Sequence, residues 1–433
     1  MTEPSSGVVA EVFQNEYLPE GGTEVHAVVT ISCTGAGLAG QDQRDGDAAE
    51  ILIVDTSGSM ENPSTKIRAA RQAASAALDE IVDGTWFAVI SGTERATLVY
   101  PPARRNEQPM IRMSASARER ARDVVKRFNA GGGTAIGTWI ELATQVFQAV
   151  PAATQRHAIL LTDGKNESEE PGRLQAAVER ASGVFQCDCR GVGEDWVVEE
   201  LRYIATQLLG EVDLIADPDD MAEDFAELIR SAMGRGIASA HLRVWTPQGA
   251  ELLFVRQVAP TIDDLAGRRT QVSPLIGDYD TGSWGDESRD YHVAVRVPAK
   301  AVGNEQLAAR VQLVVHDEIV ASGLVRALWS DDSGLTTRIN PAVAHYTGQV
   351  ELANAIQEGL AAKASGDVDT ATAKLGRAVQ LAKETGNDEA TSRLKKVVDV
   401  EDSDTGTVRL KRDAAKIDVM ELDTRSTKTT RVK

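Results

Sequence analysis

The stretch Ile51-Leu52-Ile53-Val54-Asp55-Thr56-Ser57-Gly58-Ser59 joins a short apolar run to a polar loop. Four consecutive apolar residues are typical of a strand that is buried on both faces of a parallel sheet. In the loop that follows, Asp55, Ser57 and Ser59 stand at alternate positions, so an extended backbone can turn their three side-chain oxygens toward one point. Gly58 permits a tight bend there. Ligand sites in such sheets form beyond the carboxyl ends of the strands, so this loop is the expected site.

The alternation of strand and helix continues from about residue 46 to residue 235. Short apolar runs predict strands, and stretches with apolar residues three or four positions apart predict the helices between them. The predicted strands lie at 86–90, 157–161, 184–192 and 212–216, and the clearest helices at 66–82, 116–128 and 138–150. Repeated β-α units predict an α/β doubly wound, Rossmann-like parallel sheet that is covered by helices.

The segments outside this region follow other patterns. Alternating and turn-bounded apolar runs predict an antiparallel β-sandwich over residues 236–335, and the strand-like N-terminal segment 1–45 is expected to join it. Residues 341–398 are rich in Ala at helical spacing and predict a C-terminal α-helical bundle that contains one tetratricopeptide-like helix pair. Residues 399–433 offer little for a core and are predicted to form a flexible tail.

The composition limits the possible partners. The 433 residues include 65 Asp and Glu against 46 Lys and Arg, which gives a formal net charge of −19. Such a charge argues against broad attraction to nucleic acid or to an anionic membrane. No apolar run approaches the roughly 20 residues that span a bilayer, and no secretory signal is visible. Three cysteines cannot build a disulfide framework, so we expect a cytoplasmic protein.

Two further loops bring oxygen donors to the same predicted edge of the sheet. Gly131-Gly132-Gly133-Thr134 offers a hydroxyl and a close backbone, and Thr162-Asp163-Gly164 ends the strand of residues 157–161. Hard oxygen donors that carry few charges suit Mg²⁺. The alternative interpretation is that the two serines cap the following helix and Asp55 closes a turn.

These three loops resemble the von Willebrand factor type A (VWA) domain family over roughly residues 46–235. The metal-ion-dependent adhesion site (MIDAS) of that family has five positions, and they match Asp55, Ser57, Ser59, Thr134 and Asp163. The resemblance implies a bound divalent cation, Mg²⁺ or alternatively Ca²⁺ or Mn²⁺. It also implies a protein partner whose Asp or Glu completes the coordination. The expected function is therefore a metal-dependent protein-protein interaction module and not an enzyme.

Other roles remain open at this stage. The chain could be the non-ATPase subunit of an ATPase-driven chelatase- or chaperone-like complex, since it carries no Gly-x-x-x-x-Gly-Lys-Ser/Thr loop. It could also assemble with itself, if another copy of the chain ligates the metal. Cys187-Asp188-Cys189 places both thiols on one face of a predicted strand, which indicates core cysteines. Trp139 is expected in the core, and the loop residues 61–62 and 165–167 could influence the choice of partner.

The C-terminal run Thr424-Arg-Ser-Thr-Lys-Thr-Thr-Arg-Val mixes hydroxyl and basic residues. Phosphorylation adds about −1.5 to −2 charges per site and creates a ligand for an Arg-lined pocket. The run resembles the Thr-rich tails that forkhead-associated (FHA) domains read. That resemblance implies phosphothreonine at Thr427 or Thr429, a Ser/Thr kinase and an FHA-domain partner. The alternative is a solvated basic terminus that no partner reads.

Overall fold

A computed structural model describes residues 7–41, 46–102 and 107–431 of the chain. The chain divides into two compact units. We call residues 36–238 and 282–285 the α/β unit, and residues 1–35, 239–281 and 286–433 the flanking unit. Among the residues described, no helix is both long and apolar enough to cross a membrane.

The chain begins with strands of the flanking unit, β1 (Gly7–Gln14), β2 (Tyr17–Leu18) and β3 (Glu24–Thr34). The α/β unit follows. Its strands are β4 (Asp47–Asp55), β5 (Trp86–Gly92), β6 (Ala96–Tyr100), β7 (Ile111–Arg112), β8 (Ala153–Thr162), β9 (Gln186–Val192) and β10 (Val212–Ile215). Its helices are α1 (Thr65–Glu80), α2 (Ala115–Val125), α3 (Ile136–Gln148), α4 (Arg173–Ala181), α5 (Val198–Gln207) and α6 (Met221–Met233).

The sheet of the α/β unit has the strand order β10-β9-β8-β4-β5-β6, and β7 also pairs with β5. The first five strands are parallel, whereas β6 and β7 run antiparallel to β5. Helices cover both faces. Helices α1 and α6 share a core with Leu52 and Val54 on one face. On the other face, Trp139 of α3 packs so closely that a Cβ on Gly92 would lie 2.4 Å from its ring.

The strands after residue 236 belong to the flanking unit, except for the first two residues of β11 and the last three of β15. They are β11 (Ile237–Trp245), β12 (Glu251–Ala259), β13 (Asp263–Asp264), β14 (Arg269–Ser273), β15 (Ile276–Trp284), β16 (Ser288–Arg296), β17 (Glu305–Val315) and β18 (Glu318–Trp329). One sheet has the order β1-β3-β16-β12-β13, and the other has the order β14-β15-β11-β17-β18-β2. The two sheets pack closely at Gly323 of β18, where a Cβ would lie 2.7 Å from Val12 and 3.2 Å from Val29.

The C-terminal part of the flanking unit is mostly helical. It contains α7 (Ser333–Thr336), α8 (Pro341–Ser365), α9 (Val368–Glu384), α10 (Asp388–Val397), the hairpin β19 (Val398–Asp402) and β20 (Thr407–Leu410), and α11 (Lys416–Thr424). Each of the three longer helices begins at a side chain that accepts a hydrogen bond from the first turn, namely Asn340, Asp367 and Asn387.

The prediction of a flexible tail over residues 399–433 is wrong for residues 399–431, which the structure describes. Val408 and Leu422 belong to the same buried cluster as Leu375 of α9. Thr424 and Ser426 are buried as well. The apolar residues of this segment are sparse in the sequence, but the hairpin and α11 place them on one side, against helices that supply most of the core.

Candidate metal centre

Three loops of the α/β unit meet at the carboxyl ends of two neighbouring strands. Asp55 is the last residue of β4, and Asp163 directly follows Thr162, the last residue of β8, which pairs with β4. Ser59 Oγ donates to Asp163 Oδ1 at 2.6 Å, and the two hydroxyl oxygens of Ser57 and Ser59 are 2.8 Å apart. The structure therefore brings the loop after β4 and the loop after β8 into direct contact.

Thr134 comes from the loop before α3 and completes the group. A Cβ on Gly164 would lie 3.0 Å from Ser59 Oγ and 3.1 Å from Thr134 Oγ1. The two hydroxyl oxygens therefore both lie beside Gly164, and a larger residue would crowd them. All five residues predicted from the sequence thus lie together, although they come from positions up to 108 residues apart, Asp55 to Asp163 (163 − 55).

Asp55 is completely buried and held on both sides. Its Oδ1 accepts a hydrogen bond from the backbone N–H of Ser57 at 2.7 Å, and its Oδ2 accepts one from Thr162 Oγ1 at 2.6 Å. Burial raises the pKa of Asp55 to about 6, although the hydrogen bonds from Ser57 and Thr162 act to lower it. A cation placed nearby would stabilise the ionised form of this buried carboxylate.

The loop that carries Thr134 is held by side chains from two other loops. Its backbone packs on the first loop, because Gly58 N–H donates to Gly132 O and Gly131 N–H donates to Thr56 O, both at 2.9 Å. Gly132 adopts a φ of 79°, which favours glycine. The side-chain acceptors are Glu94 for Gly133 N–H, Ser168 for Thr134 N–H, Asn166 for Ile136 N–H and Glu169 for Gly137 N–H, at 2.8–3.1 Å.

Lys66 is a member of this site that sequence reasoning missed. It is the second residue of α1 and only 6% exposed, and its Nζ lies 2.7 Å from Asp163 Oδ2 and 3.8 Å from Asp195 Oδ2. One feature of the sequence could have indicated this contact, namely a lysine at the start of a helix. A positive charge in the first turn of a helix opposes the helix dipole, so a buried lysine there requires an anionic partner nearby.

The oxygen donors of the site fit a hard divalent cation. Two carboxylates and three hydroxyl groups converge, and hard oxygen donors suit Mg²⁺. In the part of the chain that the structure describes, no group of three or more His, Cys, Asp or Glu side chains is placed to hold a metal ion. A cation at this site would therefore depend on the hydroxyl groups as well as on the two carboxylates.

Comparison with known proteins identifies the family. A model described as "von Willebrand factor type A domain" matches residues 51–165, and one described as "von Willebrand factor type A C-terminal domain" matches residues 380–426. A solved structure of a von Willebrand factor type A protein from Catenulispora acidiphila is 47% identical and has a TM-score of 0.92, covering 100% of this chain and 99% of that chain. The chain belongs to the VWA family.

Two further proteins are similar to this chain, one in fold and one in part of its sequence. The crystal structure of the ArnB paralog VWA2 from Sulfolobus acidocaldarius has a TM-score of 0.58 and covers 97% of this chain and 98% of that chain, at 17% identity. That likeness concerns the fold alone. An uncharacterized protein of Synechocystis sp. is 27% identical over 218 residues, or 49% of each chain. The VWA chain thus spans about half the length of this curated relative.

Residues that the sequence placed outside the metal site of this VWA protein lie in the core or in the nearby loops. Trp139 is fully buried and its Nε1 donates to Thr93 O at 2.7 Å, and Cys187 and Cys189 are buried free thiols, so the prediction of core residues is confirmed. Asn166 lies in the loop 165–167, and its Oδ1 accepts a hydrogen bond from Ile136 N–H in the first turn of α3. A role of this loop in the choice of partner stays a prediction.

The two threonines proposed for phosphorylation belong to the flanking unit. Ile262 N–H donates to Thr427 O at 2.8 Å. Thr429 Oγ1 donates to Val258 O at 2.6 Å and lies 3.1 Å from Pro260 O. This segment therefore pairs with the chain that follows β12.

Proposed function

We propose that this VWA protein binds a divalent cation and uses it to bind an acidic side chain of a protein partner. The proposed ligands are Asp55, Ser57, Ser59, Thr134 and Asp163, and Mg²⁺ is the preferred ion, with Ca²⁺ and Mn²⁺ as alternatives. When bound, the cation supplies a positive charge that attracts a carboxylate. The proposal assigns binding to this site and no catalytic step.

The observation that carries the proposal is the convergence of oxygen atoms around Ser59 Oγ. This atom contacts the Ser57 hydroxyl and the Asp163 carboxylate, and it shares the space beside Gly164 with Thr134 Oγ1. If the serines merely capped a helix, there would be no reason for three loops that are distant in the sequence to bring oxygen atoms to one point. Indeed, the short 3₁₀ helix after Ser57 has no side-chain cap hydrogen bond.

Isothermal titration calorimetry with Mg²⁺, Ca²⁺ and Mn²⁺ tests the cation site. The variant Asp55→Asn removes one charge without changing the shape of the side chain, and we expect it to weaken Mg²⁺ binding at least tenfold. Asp47→Asn is the matched control, because Asp47 begins the same strand that Asp55 ends. Equal Mg²⁺ affinities of the parent and Asp55→Asn, or no binding by the parent, would contradict the proposal.

Affinity capture with the parent chain and with Asp55→Asn tests the role of the partner. Partners that bind through the cation should be recovered with the parent and lost with the variant or with a chelator. Recovery of an ATPase would favour the alternative role in an ATPase-driven complex. Recovery of further copies of the chain would favour self-assembly. The same partners on both baits would argue against cation-mediated binding.

Phosphorylation of Thr427 or Thr429, followed by binding to an FHA-domain protein, stays a prediction. Phosphorylation of Thr429 would require its segment to detach first, because the Thr429 hydroxyl group already donates to the backbone carbonyl of Val258. A kinase would reach that hydroxyl only after the segment had left its place beside β12. Intact mass measurement of the chain from its native cells tests the prediction, and a uniformly unmodified C-terminus would contradict it.

A further inference from the structure

The proposed metal centre contains three buried charges and not two. Asp55 and Asp163 are fully buried, and Lys66, which pairs with Asp163 at 2.7 Å, is 6% exposed. The second anion near Lys66 is Asp195, whose side chain is 62% exposed, so solvent screens most of its effect. The formal charge of the buried group is therefore −1.

Charge counting shows what this lysine changes. A divalent cation brings the net charge of the buried group to +1, and one carboxylate from a partner then brings it to zero. Without Lys66, the cation would bring the net charge to zero and the carboxylate would bring it to −1. Net charge is unfavourable in a buried region, because the low effective dielectric strengthens each interaction and desolvation is costly. With Lys66 present, the neutral state is the one that includes the partner's carboxylate.

We propose that Lys66 couples cation binding to partner binding. It lowers the affinity of the centre for the cation alone, and it favours the addition of a single carboxylate to the cation-bound centre. This inference rests on the proposed function and deepens it. Lys66 acts through Asp163 and through its charge, so it is a positioning residue and not a ligand of the cation.

The charge balance agrees with the acidic partner side chain of the proposed function. One singly charged carboxylate, such as an Asp or Glu side chain, restores neutrality to the buried group. A neutral hydroxyl or amide would leave the charge of +1 in place. The coupling is reciprocal, so the cation and the carboxylate must each raise the affinity of the centre for the other by the same factor.

The test measures Mg²⁺ affinity by calorimetry in sodium chloride and in sodium acetate of equal ionic strength. Both affinities are calculated from the concentration of free Mg²⁺. Acetate is the probe for a partner carboxylate. In the parent chain we expect acetate to raise Mg²⁺ affinity several-fold. In Lys66→Met we expect Mg²⁺ affinity in chloride to rise at least tenfold, and the effect of acetate to fall to about twofold or less.

Three further variants make the test decisive. Lys66→Arg keeps the charge and should keep the acetate effect, whereas Lys66→Gln removes the charge, retains a donor for Asp163, and serves if Lys66→Met does not fold. Lys126→Met, which removes an exposed lysine of the same unit, should match the parent. Parent-like Mg²⁺ affinity and acetate effect in both neutral Lys66 variants would overturn the coupling while leaving the cation site intact. If none of Mg²⁺, Ca²⁺ and Mn²⁺ binds to any of these proteins, the proposed function is overturned and the coupling with it.

Discussion

A buried histidine at the centre of the sheet should make the α/β unit less stable in alkali. His157 of β8 lies between Glu50 of β4 and Asp188 of β9, and all three side chains are buried. His157 Nδ1 is 2.9 Å from both carboxylate oxygens of Glu50, and Nε2 is 3.0 Å from Asp188 Oδ2. Burial alone lowers the pKa of His157, but the two carboxylates outweigh it and raise the pKa to about 9.

The sign and size of the effect follow from this pKa. A histidine whose pKa is higher in the folded chain than its ordinary 6.5 stabilises the fold fully below pH 6.5. That contribution is lost as the pH rises through about 9. The difference of about 2.5 between the two pKa values, at 1.36 kcal/mol each, corresponds to about 3 kcal/mol. Hydrogen bonding and charge from His157 also hold the pKa of Asp188 below its usual range, against the effect of burial, but that contribution is lost only in acid.

Urea unfolding of the parent and of His157→Gln at pH 6.5, 8 and 9.5 measures this contribution. We expect the parent to be more stable than the variant at pH 6.5, and the gap between them to shrink by up to about 3 kcal/mol at pH 9.5. His241→Gln is the comparison variant, because the hydrogen bond with Asp280 also raises the pKa of His241, but both side chains are half-exposed and solvent screening should make the effect much smaller. A gap between parent and His157→Gln that stays constant from pH 6.5 to 9.5 would refute the reasoning.

Three further substitutions have expected outcomes. Gly164→Ala should weaken Mg²⁺ binding several-fold in calorimetry while the chain stays folded, because its Cβ would lie 3.0–3.1 Å from two hydroxyl oxygens of the proposed metal centre, which would have to shift to make room. Tyr346→Phe should lower the free energy of unfolding by about 1–3 kcal/mol, because it removes the hydroxyl that donates to the buried Asp290. Asn387→Ala should cost about 1–2 kcal/mol in the same measurement, because Asn387 caps α10.

Each of these expectations has a clear contrary result. Parent-like Mg²⁺ affinity in Gly164→Ala would show that the hydroxyl groups beside it do not contribute to the site. A change below about 0.5 kcal/mol in Tyr346→Phe or in Asn387→Ala would mean that water replaces the lost hydrogen bond at little cost.

The sequence predicts which acidic loops meet at the proposed metal centre, because those loops follow strands. Asp55 and Asp163 end or follow apolar runs, and parallel strands bring their carboxyl ends to one edge, so the two loops had to meet. The contact between Lys66 and Asp163 could not be predicted in this way. It joins a helix to a loop 97 residues away (163 − 66), and no repeating pattern links the two positions.

The antiparallel edge of the sheet and the ordered C-terminal segment show a second limit of prediction from sequence. β6 is short and only partly buried, so its residues do not reveal the direction in which it pairs. In the C-terminal segment, Val408 and Leu422 are too few to form a core of their own. Their burial depends on a surface that α9 and α10 supply, and such a surface is visible only once the helices are assembled.

The side chains that hold the Thr134 loop affect how the VWA family should be surveyed. Glu94, Ser168 and Glu169 bind backbone N–H groups of this loop and of α3, and none of them is one of the five motif positions. A relative that keeps all five motif residues but has lost these acceptors would present Thr134 in a different place. An intact motif is therefore insufficient evidence that a family member binds a cation, and a screen for competent members should score these supporting positions as well.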